Sequence, residues 1–216
     1  PSVTRILEES APTPWALKNF FLNNTPESAE EIKNTAGNFG SKLHDAYEQL
    51  LLGNEIELKD DYASLKAKKH LASFGQWFAD FQPVNAQAEQ TVASLKYRYA
   101  GTLDCLCEKD GQVWLIDFKT SGGIYWSYHC QVVAYKQAVE ETFGIKVDRM
   151  AILRTGTTHK AGYEFKEVTR SFQSFLNLYN TYLDINDGKI PEPPKMDIYP
   201  VSLKFDLKSN AEGILK

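Results

Sequence analysis

An aspartate and a lysine stand two positions apart at the end of an apolar segment. Residues 113–118 are apolar apart from Asp117, and Lys119 follows them. We expect an interior strand here, and Asp117 and Lys119 then point to the same face because side chains alternate along a strand. Charged groups in such a place cost free energy unless they pair with each other or bind a metal. The spacing therefore indicates a buried ion pair or part of a metal site.

A hairpin turn predicted before this strand brings a second carboxylate to the same place. Asp110-Gly111 between two apolar runs is typical of a two-residue turn. Such a turn places Asp104 directly across from Asp117, with Cβ atoms about 5 Å apart, and a four-residue turn places it diagonally on the same face. Two carboxylates this close repel each other unless one is protonated or a cation lies between them. A divalent cation with oxygen ligands is the natural partner, beside which Lys119 could hold a phosphate or the attacking water.

The simpler interpretation is an Asp117–Lys119 salt bridge with an unrelated aspartate at position 104. The tripeptide Asp-x-Lys is common, and taken alone it favours the salt bridge. The predicted position of Asp104 across the hairpin is the observation that supports a metal site.

Two periodicities divide the chain near residue 85. Residues 1–84 are mainly helical by their apolar spacing, with helices predicted at 14–21, 37–51 and 65–78. Strands are predicted after that, at 92–98, 99–107, 112–119, 147–153 and 162–166, with helices at 126–143 and 168–183. We predict one domain of the α/β class, a central mixed β-sheet flanked by helices with a helical N-terminal elaboration. It comprises that N-terminal part, a core at 85–186 and a tail at 187–216.

Composition narrows the class of protein. The 216 residues are 43% hydrophobic and 24% charged, which is ordinary for a globular domain. A protein that only coats nucleic acid is usually basic, because phosphate neutralisation supplies most of its affinity. The formal net charge of −4 argues against such a protein and permits an enzyme whose acidic site holds cations.

Cysteine usage and the absence of targeting signals bear on location. The three cysteines, Cys105, Cys107 and Cys130, form neither a disulfide framework nor a zinc quartet, and we expect Cys105 and Cys107 to be buried thiols. No apolar run approaches a membrane span and no secretory signal is visible. We expect no membrane association and an intracellular location, in the cytoplasm of a bacterium or phage-infected cell rather than a mitochondrion. The chain begins at Pro1 rather than Met, which leaves room for a removed leader or tag.

Five short motifs in a fixed order resemble a known family. They are Pro1–Leu7, Gly40–His44, Gly101-Thr102-Leu103-Asp104, Ile116–Ser121 and Gln131-Val132-Val133-Ala134-Tyr135. Together they resemble the RecB-like branch of the PD-(D/E)XK nucleases, especially the mitochondrial genome-maintenance exonucleases and their phage and bacterial relatives. The resemblance extends from residue 1 to about residue 183 and implies a restriction-endonuclease-like core.

The resemblance also implies roles for individual residues. Asp104 and Asp117 would be metal ligands, as would the backbone carbonyl of Phe118, and Lys119 would be the catalytic lysine. His44 would be an additional metal ligand. Glu89 would be an acidic group that supports the metal or the water. On the helix after the catalytic strand, the side chains expected to contact DNA phosphate or Lys119 are Gln131 and Tyr135.

Each of these residues has a simpler interpretation when it is taken alone. His44 would be a surface or satisfied core histidine, and Glu89 a solvated residue at the start of a strand. Gln131 and Tyr135, one turn apart on a helix, would be a surface polar group and core packing. Four aromatic side chains could stack on bases, although their helical spacing is more typical of core: Phe39, Tyr47, Trp77 and Phe81.

The resemblance implies one or two Mg²⁺ or Mn²⁺ ions as cofactors. No iron–sulfur cluster is expected, because no cysteine follows Cys130. The partner implied is DNA, and we favour an exonuclease that acts on single strands. The alternatives are a structure-specific or double-strand end-processing nuclease and, from another class, a catalytically silent DNA-binding module of the same fold.

Overall fold

Residues 1–188 are described by the computed structural model, with six α-helices and five β-strands. The N-terminal part contains α1 (Val3–Ser10), α2 (Trp15–Leu22), α3 (Pro26–Leu51) and α4 (Leu65–Phe81), with a 3₁₀ turn at Asp60–Tyr62. Next come β1 (Val84–Ser94), β2 (Tyr99–Lys109), β3 (Gln112–Lys119), α5 (Trp126–Phe143), β4 (Arg149–Arg154), β5 (Glu164–Glu167) and α6 (Gln173–Ile185). Apart from positions 187 and 188, the predicted tail lies outside the described residues.

The five strands form one mixed sheet in chain order. β1, β2 and β3 are antiparallel neighbours, β3 and β4 are parallel, and β5 returns antiparallel to β4. A parallel pair needs a long crossover, and α5 supplies it between β3 and β4. The α/β fold class, with a mixed sheet flanked by helices and a helical N-terminal part, is confirmed.

The β2–β3 hairpin has the predicted two-residue turn. Lys109 pairs with Gln112, and the ladder continues to Cys105 opposite Ile116. Asp110 and Gly111 have φ of 52° and 73°, the left-handed conformations that this tight turn requires. The next residues along the two strands are Asp104 and Asp117.

The sheet is buried on both faces, which explains the continuous apolar character of β3. On one face, called here the α5 face, α1, α5 and α6 pack against residues such as Leu103 and Leu115. On the other, the α3–α4 face, Cys105 and Phe118 are covered by aromatic side chains of α3 and α4. Full burial of each large apolar side chain contributes about 1.5–3 kcal/mol, so these aromatic side chains stabilise the packing of α3 and α4 on the sheet.

The first strand differs most from the prediction. β1 occupies Val84–Ser94 rather than 92–98, and residues 95–98 form a turn. The Ser94 hydroxyl accepts the backbone N–H of Tyr97 at 3.1 Å, which closes that turn. The predicted bounds were wrong because the alternation of apolar residues continues into the turn, whereas the start of this edge strand is polar and exposed.

Several further elements begin elsewhere than predicted. α3 starts at Pro26 rather than 37, because the Thr25 hydroxyl caps it by accepting the N–H of Ser28 at 3.3 Å and proline suits the first helical position. Its first half is mostly polar and exposed, so it carries no apolar stripe. β4 and α6 start at Arg149 and Gln173 rather than 147 and 168.

All three cysteines are buried free thiols, as predicted for Cys105 and Cys107. Within residues 1–188 no helix combines the length and the apolar character that crossing a membrane requires.

Candidate active site

Glu89, Asp104 and Asp117 lie next to one another on β1, β2 and β3. Glu89 and Asp104 are opposite each other, because the flanking residues pair as Ala88 with Cys105 and as Gln90 with Leu103. β2 and β3 separate just beyond the pair Cys105–Ile116. There the Asp104 carboxylate takes the place of a backbone carbonyl of β2 and accepts a hydrogen bond from the N–H of Phe118 at 2.6 Å. Asp104 is thereby held against the backbone of the residue that follows Asp117.

Both β1 and β2 change face where they carry these acidic residues. On β2, Leu103 packs on the α5 face and Cys105 on the α3–α4 face, although residues two apart normally share a face. On β1, Glu89 has φ of 50°, a left-handed conformation that is rare for this residue type. Such conformations cost about 1–3 kcal/mol and persist only where the surrounding structure holds them in place. The irregularity directs Glu89 and Asp104 to one point.

His44 completes a cluster of three ionisable side chains at that point. One ligand atom from each of His44, Glu89 and Asp104 lies within 4.8 Å of the other two. His44 extends from α3, and its Nδ1 lies 3.1 Å from Oδ1 of Asp104. The site therefore combines a residue of the helical N-terminal part with residues of the sheet.

Asp117 and Lys119 form a buried ion pair beside this cluster. Lys119 Nζ lies 2.6 Å from Oδ2 of Asp117, and both side chains are largely buried. Oδ2 of Asp117 contacts this ammonium group, whereas Oδ1 has no hydrogen-bond donor among the described residues. Lys119 Nζ also lies 4.9 Å from the centre of the Tyr128 ring. The ion pair of the simpler interpretation is present, but it leaves Asp117 unsatisfied.

Burial and neighbouring charges set the protonation of the two aspartates and the lysine. Burial raises the pKa of Asp117 to about 6; Asp104 raises it too, while Lys119 opposes the shift. Burial would also raise the pKa of Asp104, but His44, Lys119 and the N–H of Phe118 outweigh it and lower the pKa. Burial would lower the pKa of Lys119, but the two carboxylates raise it well above its usual range. Asp104 and Lys119 are thus charged at neutral pH. Around Asp117, the positive charge of Lys119 does not offset the effect of burial on the carboxylate.

The two remaining groups of the cluster carry shifted pKa values as well. Burial would lower the pKa of His44, but the Asp104 carboxylate outweighs it and raises the pKa. Burial and then Asp104 raise the pKa of Glu89. The carboxyl groups around this point exceed the cations available to them.

These donors fit a divalent cation. Carboxylate oxygens suit Mg²⁺ or Mn²⁺, and Oδ1 of Asp117 is buried without a hydrogen-bond donor. His44, Glu89 and Asp104 would hold the ion; Asp117 is not part of that group of three, and its role as a ligand stays a prediction. The Phe118 side chain packs on the α3–α4 face, and a ligand role for its backbone carbonyl stays a prediction.

Gln131 and Tyr135 join α5 to the glycine of the Gly101–Asp104 motif. Gln131 Nε2 donates to the Tyr135 hydroxyl at 3.2 Å. The Tyr135 ring lies on Gly101 so closely that a Cβ there would be 2.7 Å from Cε1 of the ring. The glycine is needed for this approach of α5 to β2. Among the described residues, no hydrogen bond joins either side chain to Lys119, which packs on Tyr128 instead.

Sequence reasoning missed Tyr128, whereas the four aromatic residues of the helical part have the core positions that their spacing favoured. Tyr128 lies three residues before Gln131, so it shares a helix face with the motif, and that spacing was the available signal. Tyr47 and Trp77 are fully buried core residues that cannot stack on bases. Phe39 and Phe81 pack partly buried against the same core.

No protein-family model and no curated protein matches the chain. Among solved structures, it is similar to an alkaline exonuclease from Laribacter hongkongensis, with 10% identity, a TM-score of 0.44 and coverage of 87% of each chain. It is also similar to a candidate exonuclease from Eubacterium rectale, with 13% identity, a TM-score of 0.41 and coverage of 99% of this chain and 80% of that one. Both similarities are remote, and neither transfers an activity to this chain.

Proposed function

We propose that the chain is a divalent-metal-dependent deoxyribonuclease of the RecB-like PD-(D/E)XK type, a hydrolase of phosphodiester bonds in single-stranded DNA. The observation that carries the proposal is the meeting of His44, Glu89 and Asp104 at one point, beside a buried Asp117 whose Oδ1 has no hydrogen-bond donor among the described residues. A salt bridge alone needs neither the additional acidic groups nor the left-handed backbone of Glu89.

Each residue has a role in this proposal. Glu89, Asp104 and His44, with Asp117 beside them, would hold one or two Mg²⁺ or Mn²⁺ ions, which would lower the pKa of water and neutralise phosphate charge. Lys119, kept protonated by its carboxylate neighbours, orients the attacking water or stabilises the negative charge that develops on the phosphate. Tyr135 and Gln131 fix the distance between α5 and β2, so that both sides of the site keep their places.

A digest of end-labelled oligonucleotides tests the activity. We expect hydrolysis of linear single strands with Mg²⁺ or Mn²⁺ and none with chelator. Circular single strands should persist if the enzyme needs an end, and 5′- and 3′-blocked strands give the polarity. Preferential cutting of duplex ends would replace the single-strand assignment with end processing, and RNA in parallel reactions tests the sugar preference.

Two variants with a matched control test the site. Asp117→Ala should abolish hydrolysis and Lys119→Ala should slow it about 10²–10³-fold, while the far-ultraviolet circular dichroism of both stays that of the wild type. The control is Lys146→Ala, because Lys146 and Asp148 form an exposed ion pair of the same residue types, two positions apart. Full activity in either site variant would refute the assignment. DNA binding without Mn²⁺ binding or hydrolysis in the wild type would instead identify a silent DNA-binding module.

A further inference from the structure

A groove opens between α2 and the N-terminal end of α5, next to the candidate active site. Its volume is about 430 Å³, and its lining includes Leu17 and Phe20 of α2 with Tyr125 and Tyr128 beside them. That volume falls within the range of about 300–1,000 Å³ typical of small-ligand pockets. The proposed function has assigned it no role.

Tyr128 connects the groove with the candidate catalytic lysine. Its ring lines the groove, and Lys119 Nζ lies 4.9 Å from its centre. A phosphate held by Lys119 would therefore have an aromatic surface beside it. A nucleotide presents these two features together, a phosphate and a flat base joined by a sugar.

The α2 wall of the groove has an unusual composition for a surface helix. Its sequence is WALKNFFL, and within the described part of the chain none of its residues is buried. Of the α2 residues that line the groove, Leu17 is 41% exposed and Phe20 is partly buried. Apolar and aromatic side chains beside a site with a buried cation match the usual chemistry of single-strand recognition, in which bases stack on aromatic groups while cations hold the backbone.

We propose that the groove between α2 and α5 is a base-binding subsite, which takes the nucleobase adjacent to the phosphate at Lys119 by stacking on Tyr125, with the steeply inclined Tyr128 ring at the edge of the base. This inference rests on the proposed function and deepens it, because it names single-stranded nucleic acid with an unstacked base as the ligand. Stacking on aromatic rings accepts any base, so the subsite selects single strands without selecting sequence. A paired base would have to leave its duplex to enter.

Binding in the absence of hydrolysis tests the subsite. A fluorescent single-stranded oligonucleotide is titrated with the full chain in chelator, and anisotropy gives the Kd. Tyr125→Ala should weaken binding about tenfold, because removal of one stacking surface typically costs about 5- to 150-fold. The matched control is Phe143→Ala, another partly exposed aromatic residue at the opposite end of α5, about 25 Å away, and its Kd should equal that of the wild type.

An abasic oligonucleotide shows whether the base itself is bound. One abasic site is moved along the strand, and one position should weaken wild-type binding by about the same factor as Tyr125→Ala. In Tyr125→Ala that abasic penalty should disappear. A penalty of equal size in both proteins would overturn the proposal, as would an unchanged Kd for Tyr125→Ala.

The outcomes separate this inference from the proposed function and from another use of the groove. A chain that hydrolyses DNA with no dependence on Tyr125 keeps the nuclease assignment and loses the subsite. A chain that never hydrolyses DNA but shows the abasic penalty keeps the subsite and loses the nuclease assignment. If Tyr125→Ala leaves the Kd unchanged but alters the mass of the protein in light scattering, the groove is a contact between copies and the proposal fails.

Discussion

Lys119 has opposite effects on metal binding and on hydrolysis in the proposed site. Its ammonium group supplies part of the positive charge that Asp117 and Asp104 require, so it competes with a divalent cation for the same carboxylates. In the proposed reaction it also stabilises charge on the phosphate. Substitution of Lys119 therefore separates its effect on metal binding from its effect on hydrolysis.

We predict that Lys119→Ala binds Mn²⁺ at least as tightly as the wild type but hydrolyses DNA about 10²–10³-fold more slowly, the usual effect of losing one charge-stabilising group. Calorimetric titration gives the Mn²⁺ affinity, and single-turnover digestion gives the rate. Lys146→Ala is again the control. A Lys119→Ala protein that folds but loses Mn²⁺ binding would mean that the lysine organises the site rather than takes part in the reaction.

His70 is a buried histidine on α4, and its surroundings favour the neutral form of the ring. It is 5% exposed, and its Nδ1 lies 2.8 Å from the hydroxyl of Thr155. Burial, with smaller effects from Lys66 and Lys69, lowers its pKa to about 4. The same histidine in the unfolded chain has a pKa of about 6.5. Below that pH the unfolded state binds a proton that the folded state does not, so the free energy of unfolding falls as the pH decreases from about 6.5 toward 4.

We predict that, between about pH 7.5 and pH 5, the wild type loses about 2 kcal/mol more of its free energy of unfolding than His70→Gln does. Urea denaturation at the two pH values measures this difference. His159→Gln, at an exposed position, should keep the wild-type pH dependence. Parallel pH profiles for wild type and His70→Gln would show that the ring is protonated or exposed in the folded protein.

The packing of α5 against β2 depends on one glycine. Gly101 lies under the Tyr135 ring, and a methyl group there would be 2.7 Å from the ring. The same helix carries Tyr128 beside Lys119. A shift of α5 would therefore disturb the candidate site without changing any of its charged groups.

We predict that Gly101→Ala destabilises the chain by about 1–3 kcal/mol through overpacking and lowers hydrolysis further than this loss explains. Replacement of Tyr135 with Leu in the same chain should recover part of the stability, as a double-mutant cycle measured by urea denaturation would show. Gly37→Ala in α3 is the control, because nothing lies within 4 Å of its added methyl group. Additive effects of the changes at 101 and 135 would contradict the contact.

The proposed metal site joins the two parts of the molecule. His44 belongs to α3, whereas Glu89, Asp104 and Asp117 belong to the sheet. A cation bound by all of them would hold α3 against the strands and remove the repulsion among the carboxylates. Binding to the folded state alone stabilises a protein by about 2.7 kcal/mol at a ligand concentration 100 times the Kd.

We predict that saturating Mn²⁺ raises the free energy of unfolding by about 2–3 kcal/mol and slows amide hydrogen exchange around His44 in α3. Thermal denaturation and hydrogen-exchange mass spectrometry measure these effects. Asp104→Asn should lose most of the stabilisation, whereas Asp148→Asn, outside the site, should retain it. Equal stabilisation of wild type and Asp104→Asn would show that the ion binds elsewhere.

Local patterns in the sequence predicted part of this architecture. The hairpin register followed from Asp110-Gly111 and the alternating residues around it, because turn chemistry and side-chain period are local properties. The convergence of His44, Glu89 and Asp104 came from the family resemblance, since residues 60 positions apart in the chain meet only through tertiary packing. The face changes at Glu89 and Asp104 and the place of Tyr128 under Lys119 also depend on that packing, so periodicity could not predict them.

The two-residue turn at Asp110-Gly111 has a consequence for parts of the chain far from the carboxylates. Asp104 reaches the N–H of Phe118 only when β2 and β3 are aligned as they are, and this turn, about 20 Å along the strands, sets that alignment. One inserted residue there would rotate every β2 side chain to the opposite face. The fold could recover by sliding, but the acidic groups would no longer meet, so a surface loop with no chemical function can decide whether the proposed site forms.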